Sequence, residues 1–133
     1  MRLTLSGTVA ATGPGLDDFT PEGERRWVGG EWDPSYPAGD VRLAPGLVFE
    51  AVGATWVVVD ADPERVRYVR VTPGRRAGIV EVQRLDDTTV RVTYDLTALT
   101  PSEAGELEAF AGDYETMLAG WSRSIAAGRD SAH

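Results

Sequence analysis

The sequence predicts one α+β domain in which a long C-terminal helix lies across a curved antiparallel sheet. Three observations support this fold class. The chain has 133 residues, of which 42% are hydrophobic, and this length suits a single packed core. Between residues 46 and 97, β-rich segments alternate with compact turns. From residue 101 onward, apolar residues recur every three or four positions, which is the spacing of an amphipathic helix.

The N-terminal third contains one strand followed by a short cover segment. Leu3, Leu5 and Val9 alternate with polar residues, which predicts a first strand ending at the turn 12–15. Residues 16–30 favour one or two short helical turns, because a Thr-Pro pair there suits an N-cap followed by the first helical position. The segment 31–37 contains two prolines, so an edge strand or an ordered loop is expected there rather than a central strand.

Five strands joined by short turns are expected next, at 46–52, 55–60, 65–71, 77–84 and 89–97. In the last strand, apolar Val90, Val92, Tyr94 and Leu96 alternate with polar residues, which indicates a sheet with one solvated face. The run 65–71 allows two interpretations. Either Arg67 points inward with the valines of the same parity, or Tyr68 and Arg70 do.

The C-terminal helix is expected to cover the apolar face of the sheet. It should begin at Pro101, with Thr100 as its N-cap and Glu103 completing a capping box. We expect it to run to about Ala127, leaving residues 128–133 as a frayed tail.

Composition excludes several classes of chemistry. The chain has no cysteine and no lysine, which excludes disulfides, thiolate sites and Schiff-base lysines. Its one histidine, His133, is the last residue, which argues against a rigid imidazole site. The net charge of −8 argues against nucleic acid and anionic membrane partners. No bilayer-spanning run or signal peptide is evident, so a cytoplasmic location is expected.

Acidic residues are interpreted as structural. Aspartates cluster at three predicted turns, where they favour backbone hydrogen bonds and supply too few ligands for calcium; they are Asp17-Asp18, Asp60 with Asp62, and Asp86-Asp87. Glu81 and Asp95 are expected on the solvated face of the sheet. We therefore predict no metal site, no cofactor and no catalytic residue.

Aromatic residues are the strongest indication of a ligand pocket, because Trp and Tyr supply apolar walls with polar handles. Tyr94, Tyr114 and Trp121 are expected to face one another, and an inward Arg67 could bind a carboxylate or enolate. The alternative is that the rings only fill the core and Arg67 faces solvent. The candidate ligand-binding residues are Trp27, Trp32, Phe49, Trp56, Arg67, Tyr68, Tyr94, Phe110, Tyr114, Met117 and Trp121.

This order of elements resembles the SRPBCC superfamily. The resemblance is carried by segments 19–28, 32–34, 46–49, 68–74 and 92–95, and by the apolar pattern of the last helix. That superfamily shares the START-like helix-grip fold and includes birch-pollen-allergen-like proteins, aromatic polyketide cyclases and activators of heat-shock ATPase. The resemblance implies about seven strands wrapped around the long helix, and a cavity between them. Segment 13–30 is short for two full helices, so a reduced or open mouth is expected.

The superfamily has no universal catalytic residues, so the resemblance implies a cavity but no chemistry. We expect the cavity to bind a hydrophobic or aromatic small molecule. One alternative is a polyketide cyclase-like enzyme in which tyrosine and arginine polarise carbonyl groups. Another is a protein-interaction domain like the heat-shock activators. Whether the chain is a monomer or a homodimer is left open by the sequence.

Overall fold

The computed structural model describes residues 1–131, with side chains through Gly128, and contains a six-stranded antiparallel sheet and one long helix. The strands are β1 (Arg2–Ala10), β2 (Val48–Ala51), β3 (Ala54–Ala61), β4 (Arg65–Thr72), β5 (Arg76–Arg84) and β6 (Thr89–Ala98). A 3₁₀ turn (Asp17–Phe19) and the short helix α1 (Pro21–Glu24) follow β1, and α2 (Pro101–Ser131) ends the chain.

The strands lie in the order β1-β6-β5-β4-β3-β2, so hairpins connect all neighbours except β1 and β6. The alternation predicted for β6 is confirmed, because Val90, Val92, Tyr94 and Leu96 are all buried. Segment 31–37 is a loop with a single bridge between Ser35 and Glu50. The sheet therefore has six strands rather than about seven.

The cover segment is as short as the sequence predicts. The 3₁₀ turn has three residues and α1 has four. Thr20 caps α1, since its hydroxyl oxygen accepts a hydrogen bond from the Gly23 backbone N–H at 2.9 Å, and Pro21 occupies the first turn. A wide part of the concave sheet face is thus covered by turns and loops rather than by full helices.

The start of α2 is confirmed, but Glu103 has a different role from the one predicted. Thr100 Oγ1 accepts a hydrogen bond from the Glu103 backbone N–H at 3.2 Å. The Glu103 side chain is only 4% exposed and forms ion pairs with Arg75 at 2.7 Å and Arg76 at 3.0 Å. The carboxylate therefore ties α2 to the β4–β5 turn and does not complete the capping box.

The end of α2 lies beyond its predicted position near Ala127. The helix continues through Gly128 to Ser131, so residues 128–131 are helical rather than a frayed tail, while His133 lies outside the described residues. A Cβ atom on Gly128 would lie 3.1 Å from the Arg26 carbonyl oxygen and 3.5 Å from Trp27 Cβ. Gly128 thus permits close packing against the segment after α1 instead of ending the helix.

The helix α2 packs mainly on β1 and β6. A Cβ atom on Gly7 of β1 would lie 2.6 Å from Leu118 Cδ1, so this glycine allows the helix to approach the strand closely. The β3–β5 side of the concave face is instead faced by residues 19–32. In the part of the chain that the structure describes, no helix is both long and apolar enough to cross a bilayer.

Candidate functional site

A partly enclosed cavity of about 160 Å³ lies on the concave face of the sheet. Strands β2 to β6 form its floor, segment 19–32 covers it, and α2 contributes Trp121. Its lining residues are Phe19, Glu24, Val28, Trp32, Phe49, Val52, Trp56, Tyr68, Arg70, Val80, Val82, Val92, Tyr94 and Trp121.

Aromatic rings with internal hydrogen bonds form one wall of the cavity. Phe49 stacks on Trp56 with ring centroids 5.7 Å apart, and Tyr68 meets both rings edge-on. Trp56 Nε1 donates a hydrogen bond to the Ala51 carbonyl at 3.1 Å, and the Tyr68 hydroxyl donates one to the Phe19 carbonyl at 2.8 Å. Because these polar atoms already have partners, the wall presents ring faces and edges to a ligand.

Arg70 is the cavity's cation. Among the side chains of residues 1–128, four arginines are partly buried: Arg67, Arg70, Arg76 and Arg84. Three of them contact carboxylates or backbone carbonyls. The Arg70 guanidinium instead lies over the Trp56 ring at 4.8 Å, and its buried Nε has no hydrogen-bond partner within the described chain. Burial lowers its pKa, although arginine remains protonated at neutral pH.

Glu24, the last residue of α1, supplies a carboxyl group to the cavity. Part of the residue reaches solvent, but burial of its carboxyl raises the pKa well above the usual value of 4.5. Among the side chains of residues 1–128, no hydrogen bond or ion pair of this carboxyl is observed. Desolvation without a compensating cation therefore favours the neutral acid, which donates a hydrogen bond.

Tyr94 lies within electrostatic reach of Glu24 and Arg70. Burial raises the pKa of its hydroxyl, and the nearby Glu24 charge raises it further, whereas Arg70 lowers it. The net effect is upward, so this hydroxyl stays protonated at neutral pH. Glu24, Arg70 and Tyr94 together place three polar groups around one small, mostly apolar space.

The mouth of the cavity has an apolar rim. Val28 and Val52 line the cavity and are 41% and 43% exposed. Val52 has a φ of 49°, which is a strained conformation for a β-branched residue. The short 3₁₀ turn and α1 leave this mouth flanked by single side chains.

Six predicted binding residues line the cavity: Trp32, Phe49, Trp56, Tyr68, Tyr94 and Trp121. Arg67 does not. It lies on the opposite face of β4, in ion pairs with Asp60 at 3.4 Å and Glu81 at 3.2 Å, so the interpretation with Tyr68 and Arg70 facing inward is the correct one.

The remaining predicted residues pack in solid core beside the cavity. Trp27 lies edge-on to Trp121 at 5.5 Å, and its Nε1 donates a hydrogen bond to a backbone carbonyl. Phe110 and Tyr114 form a cluster with Tyr94, and the Tyr114 hydroxyl donates a hydrogen bond to a β6 carbonyl at 2.6 Å. Met117 packs against the same core. Phe110, Tyr114 and Met117 miss the cavity because α2 sits over β1 and β6 instead of over the sheet centre.

Glu24 was missed by sequence reasoning, and Arg70 was kept only as an alternative. Arg70 shares strand parity with Tyr68, but parity alone does not decide which face of β4 points inward. Glu24 lies in a short helix without a readable apolar period, so no sequence signal places it in the cavity. The turn role of the aspartates is confirmed at two sites: Asp62 Oδ1 accepts from two backbone N–H groups, and Asp86 Oδ1 accepts from Thr88.

Comparison with known proteins supports the architecture. No protein-family model and no curated protein matches the sequence. Protein MLL2253 from Mesorhizobium loti has a TM-score of 0.66 at 11% identity, covering 98% of this chain and 99% of that chain. Ara h 8.0201 has a TM-score of 0.53 at 10% identity, covering 96% and 99%. An HSP90 activator from Plasmodium falciparum has a TM-score of 0.55 at 13% identity, covering 84% and 87%.

At these identities the likeness concerns the fold alone. The neighbours share the layout found here, an antiparallel sheet curved around one long helix. The chain therefore has the helix-grip fold.

Proposed function

We propose that this protein is a member of the SRPBCC superfamily and binds a small hydrophobic or aromatic molecule in the cavity between its sheet and its helices. The observation that carries the proposal is the partly enclosed cavity of about 160 Å³ walled by aromatic rings. Small-molecule sites are mostly apolar, concave and equipped with a few polar groups, and this cavity has that character.

The volume of the cavity limits the size of the ligand that it can enclose. A cavity of about 150 Å³ lined by apolar side chains holds one benzene molecule. The present cavity thus suits a single aromatic ring or an aliphatic group of similar volume. A longer ligand would have to extend through the mouth between Val28 and Val52, where the apolar rim would contact it.

A second candidate function is a cyclase-like enzyme, and the three polar groups favour it. A neutral Glu24 carboxyl is able to protonate a leaving oxygen, while Arg70 and Tyr94 polarise a carbonyl group. Turnover of a polyketide-like substrate, lost in Arg70→Ala and kept in Arg67→Ala, would support this function. Binding of the substrate without turnover supports the binding function instead.

Titration with toluene tests the binding proposal. We expect saturable binding, detected as quenching of tryptophan fluorescence and as NMR shift changes at cavity residues. Val80→Phe places a ring inside the cavity and should abolish binding. Ile79→Phe, on the opposite face of the same strand, is the matched control and should bind toluene normally. Toluene shifts spread over the surface, or binding unchanged by Val80→Phe in a folded protein, would contradict the proposal.

A further inference from the structure

Arg70 is a partly buried cation for which the described chain provides no anion. Its guanidinium lies over Trp56 at 4.8 Å, and its Nε is buried without a hydrogen bond. No carboxylate among the side chains of residues 1–128 lies within ion-pair distance of it. Burying an unpaired cation costs free energy, which a ligand anion in the cavity would recover.

Two further donors face the same space. The Tyr94 hydroxyl makes no hydrogen bond within the described residues and is influenced by both Arg70 and Glu24. The Glu24 carboxyl likewise has no partner there. Arginine binds planar carboxylates with two parallel hydrogen bonds, and a hydroxyl and a protonated carboxyl add single donors.

The apolar part of the site suits an aromatic ring. Trp56 and Phe49 are stacked, and Trp32 meets both of them edge-on at 5.9 and 6.3 Å. The volume of about 160 Å³ admits one ring with one small substituent. A small molecule with both an anionic group and a ring would pair with Arg70 and pack against the aromatic wall.

We propose that the ligand is a small aromatic acid, whose ring packs against the Trp56 wall and whose carboxylate binds Arg70 and Tyr94, beside Glu24 in the same cavity. This inference rests on the proposed function and names the ligand class for the same cavity. A cation would be repelled by Arg70, and a neutral ligand would leave its charge unpaired.

Benzoate and benzamide form a matched test pair, because they share one ring and differ in charge. We expect the wild-type protein to bind benzoate at least about tenfold more tightly than benzamide, the factor of one charge-assisted hydrogen bond. Arg70→Met keeps an unbranched, flexible side chain without the charge and should remove this preference. Arg67→Met, on the other face of β4, should keep it. Isothermal titration calorimetry measures the affinities.

The pH dependence of benzoate binding tests Glu24. The groups that influence this carboxyl or face the same cavity are Tyr68 and Arg70 on β4 and Tyr94 on β6. Ionised Glu24 would repel the carboxylate, so benzoate affinity in the wild type should fall as pH rises through the raised pKa of Glu24. Glu24→Gln should give a flat profile. A flat wild-type profile would remove Glu24 from the site.

The outcomes separate this inference from the proposed function. If toluene binds but benzamide binds as tightly as benzoate, the aromatic-acid inference is wrong and the binding function stands. If folded Arg70→Met still prefers benzoate, the aromatic-acid inference is also wrong and the binding function stands. If none of toluene, benzamide and benzoate binds, both proposals fail. Because the benzoate preference is measured first on the wild type, the test does not depend on the stability of any variant.

Discussion

At the scale of single residues, the neighbouring groups decide how readily each buried carboxyl group ionises. Glu24 and Glu103 are both glutamates in a first or only turn of a helix, yet the groups that surround their carboxyls differ. Glu103 is buried between Arg75 and Arg76 and acts as an anionic anchor. Glu24 has no cation beside it, so burial acts alone on its pKa. The difference lies in the tertiary neighbours, since the residue type is the same.

Glu24→Gln should stabilise the folded protein in a pH-dependent way. A carboxyl whose folded pKa is raised binds more protons in the folded than in the unfolded state at intermediate pH, so its contribution to stability falls as pH rises above 4.5. Glutamine does not ionise, so the variant does not lose this stability as pH rises. Urea unfolding should show a larger unfolding free energy for Glu24→Gln at pH 8 than for the wild type, and equal values at pH 4.

The control for this experiment is Glu31→Gln, an exposed glutamate in the following loop. It should leave the wild-type pH profile unchanged. An unfolding free energy difference between Glu24→Gln and the wild type that does not vary with pH would mean that Glu24 ionises normally in the folded protein.

At the scale of elements, two close backbone approaches shape the sheet and its helix. Gly7 lets α2 lie tightly on β1. Gly78 lets β5 pass close to β6, because a Cβ atom there would lie 2.0 Å from the Asp95 carbonyl oxygen. Gly78 pairs with Arg70 on one side and Leu96 on the other, so this approach sets the geometry of the strands that carry the cavity residues.

Gly78→Ala should destabilise the fold by about 2 kcal/mol or more, because the methyl group meets backbone atoms that cannot rotate away. Thermal and urea unfolding measure the change. Gly112→Ala is the matched control: a Cβ there meets nothing within 4 Å, and alanine in a helix is favoured by about 1 kcal/mol. Destabilisation by Gly112→Ala, or neutrality of Gly78→Ala, would show that the described packing is wrong.

At the scale of the whole molecule, the concave face divides into two parts. Over β1 and β6, α2 and its Tyr114 cluster fill the space with side chains. Over the central strands, the short cover segment leaves the cavity. The two exposed residues that line this cavity are Val28, after the cover segment, and Val52, in the β2–β3 turn.

The net charge of −8 should make stability depend on pH and salt. Self-repulsion weakens the compact state, so the unfolding temperature should rise as pH is lowered from 8 to 5. Below about pH 4 it should fall again, because Glu22, Asp86 and Asp95 have lowered pKa values and the stability they contribute is lost as they protonate.

Differential scanning calorimetry in low salt and in about 0.5 M NaCl separates the two causes of this profile. Between pH 5 and 8, salt should reduce the part of the change in unfolding temperature that comes from charge repulsion. Glu24→Gln should remove the part that comes from ionisation of Glu24. An unfolding temperature that increases from pH 5 to pH 8 in low salt would contradict this prediction.

The sequence by itself determined the order of the elements and the buried face of β6. Alternation in β6, the Thr-Pro caps of α1 and α2, and the apolar spacing of the last helix are local patterns, and each is confirmed. Only the tertiary structure decided where α2 crosses the sheet, which separated Tyr114 from the cavity and left Trp121 in it. It also decided which face of β4 points inward and that Glu24 is desolvated. These features depend on distances between segments far apart in the chain, which local periodicity does not encode.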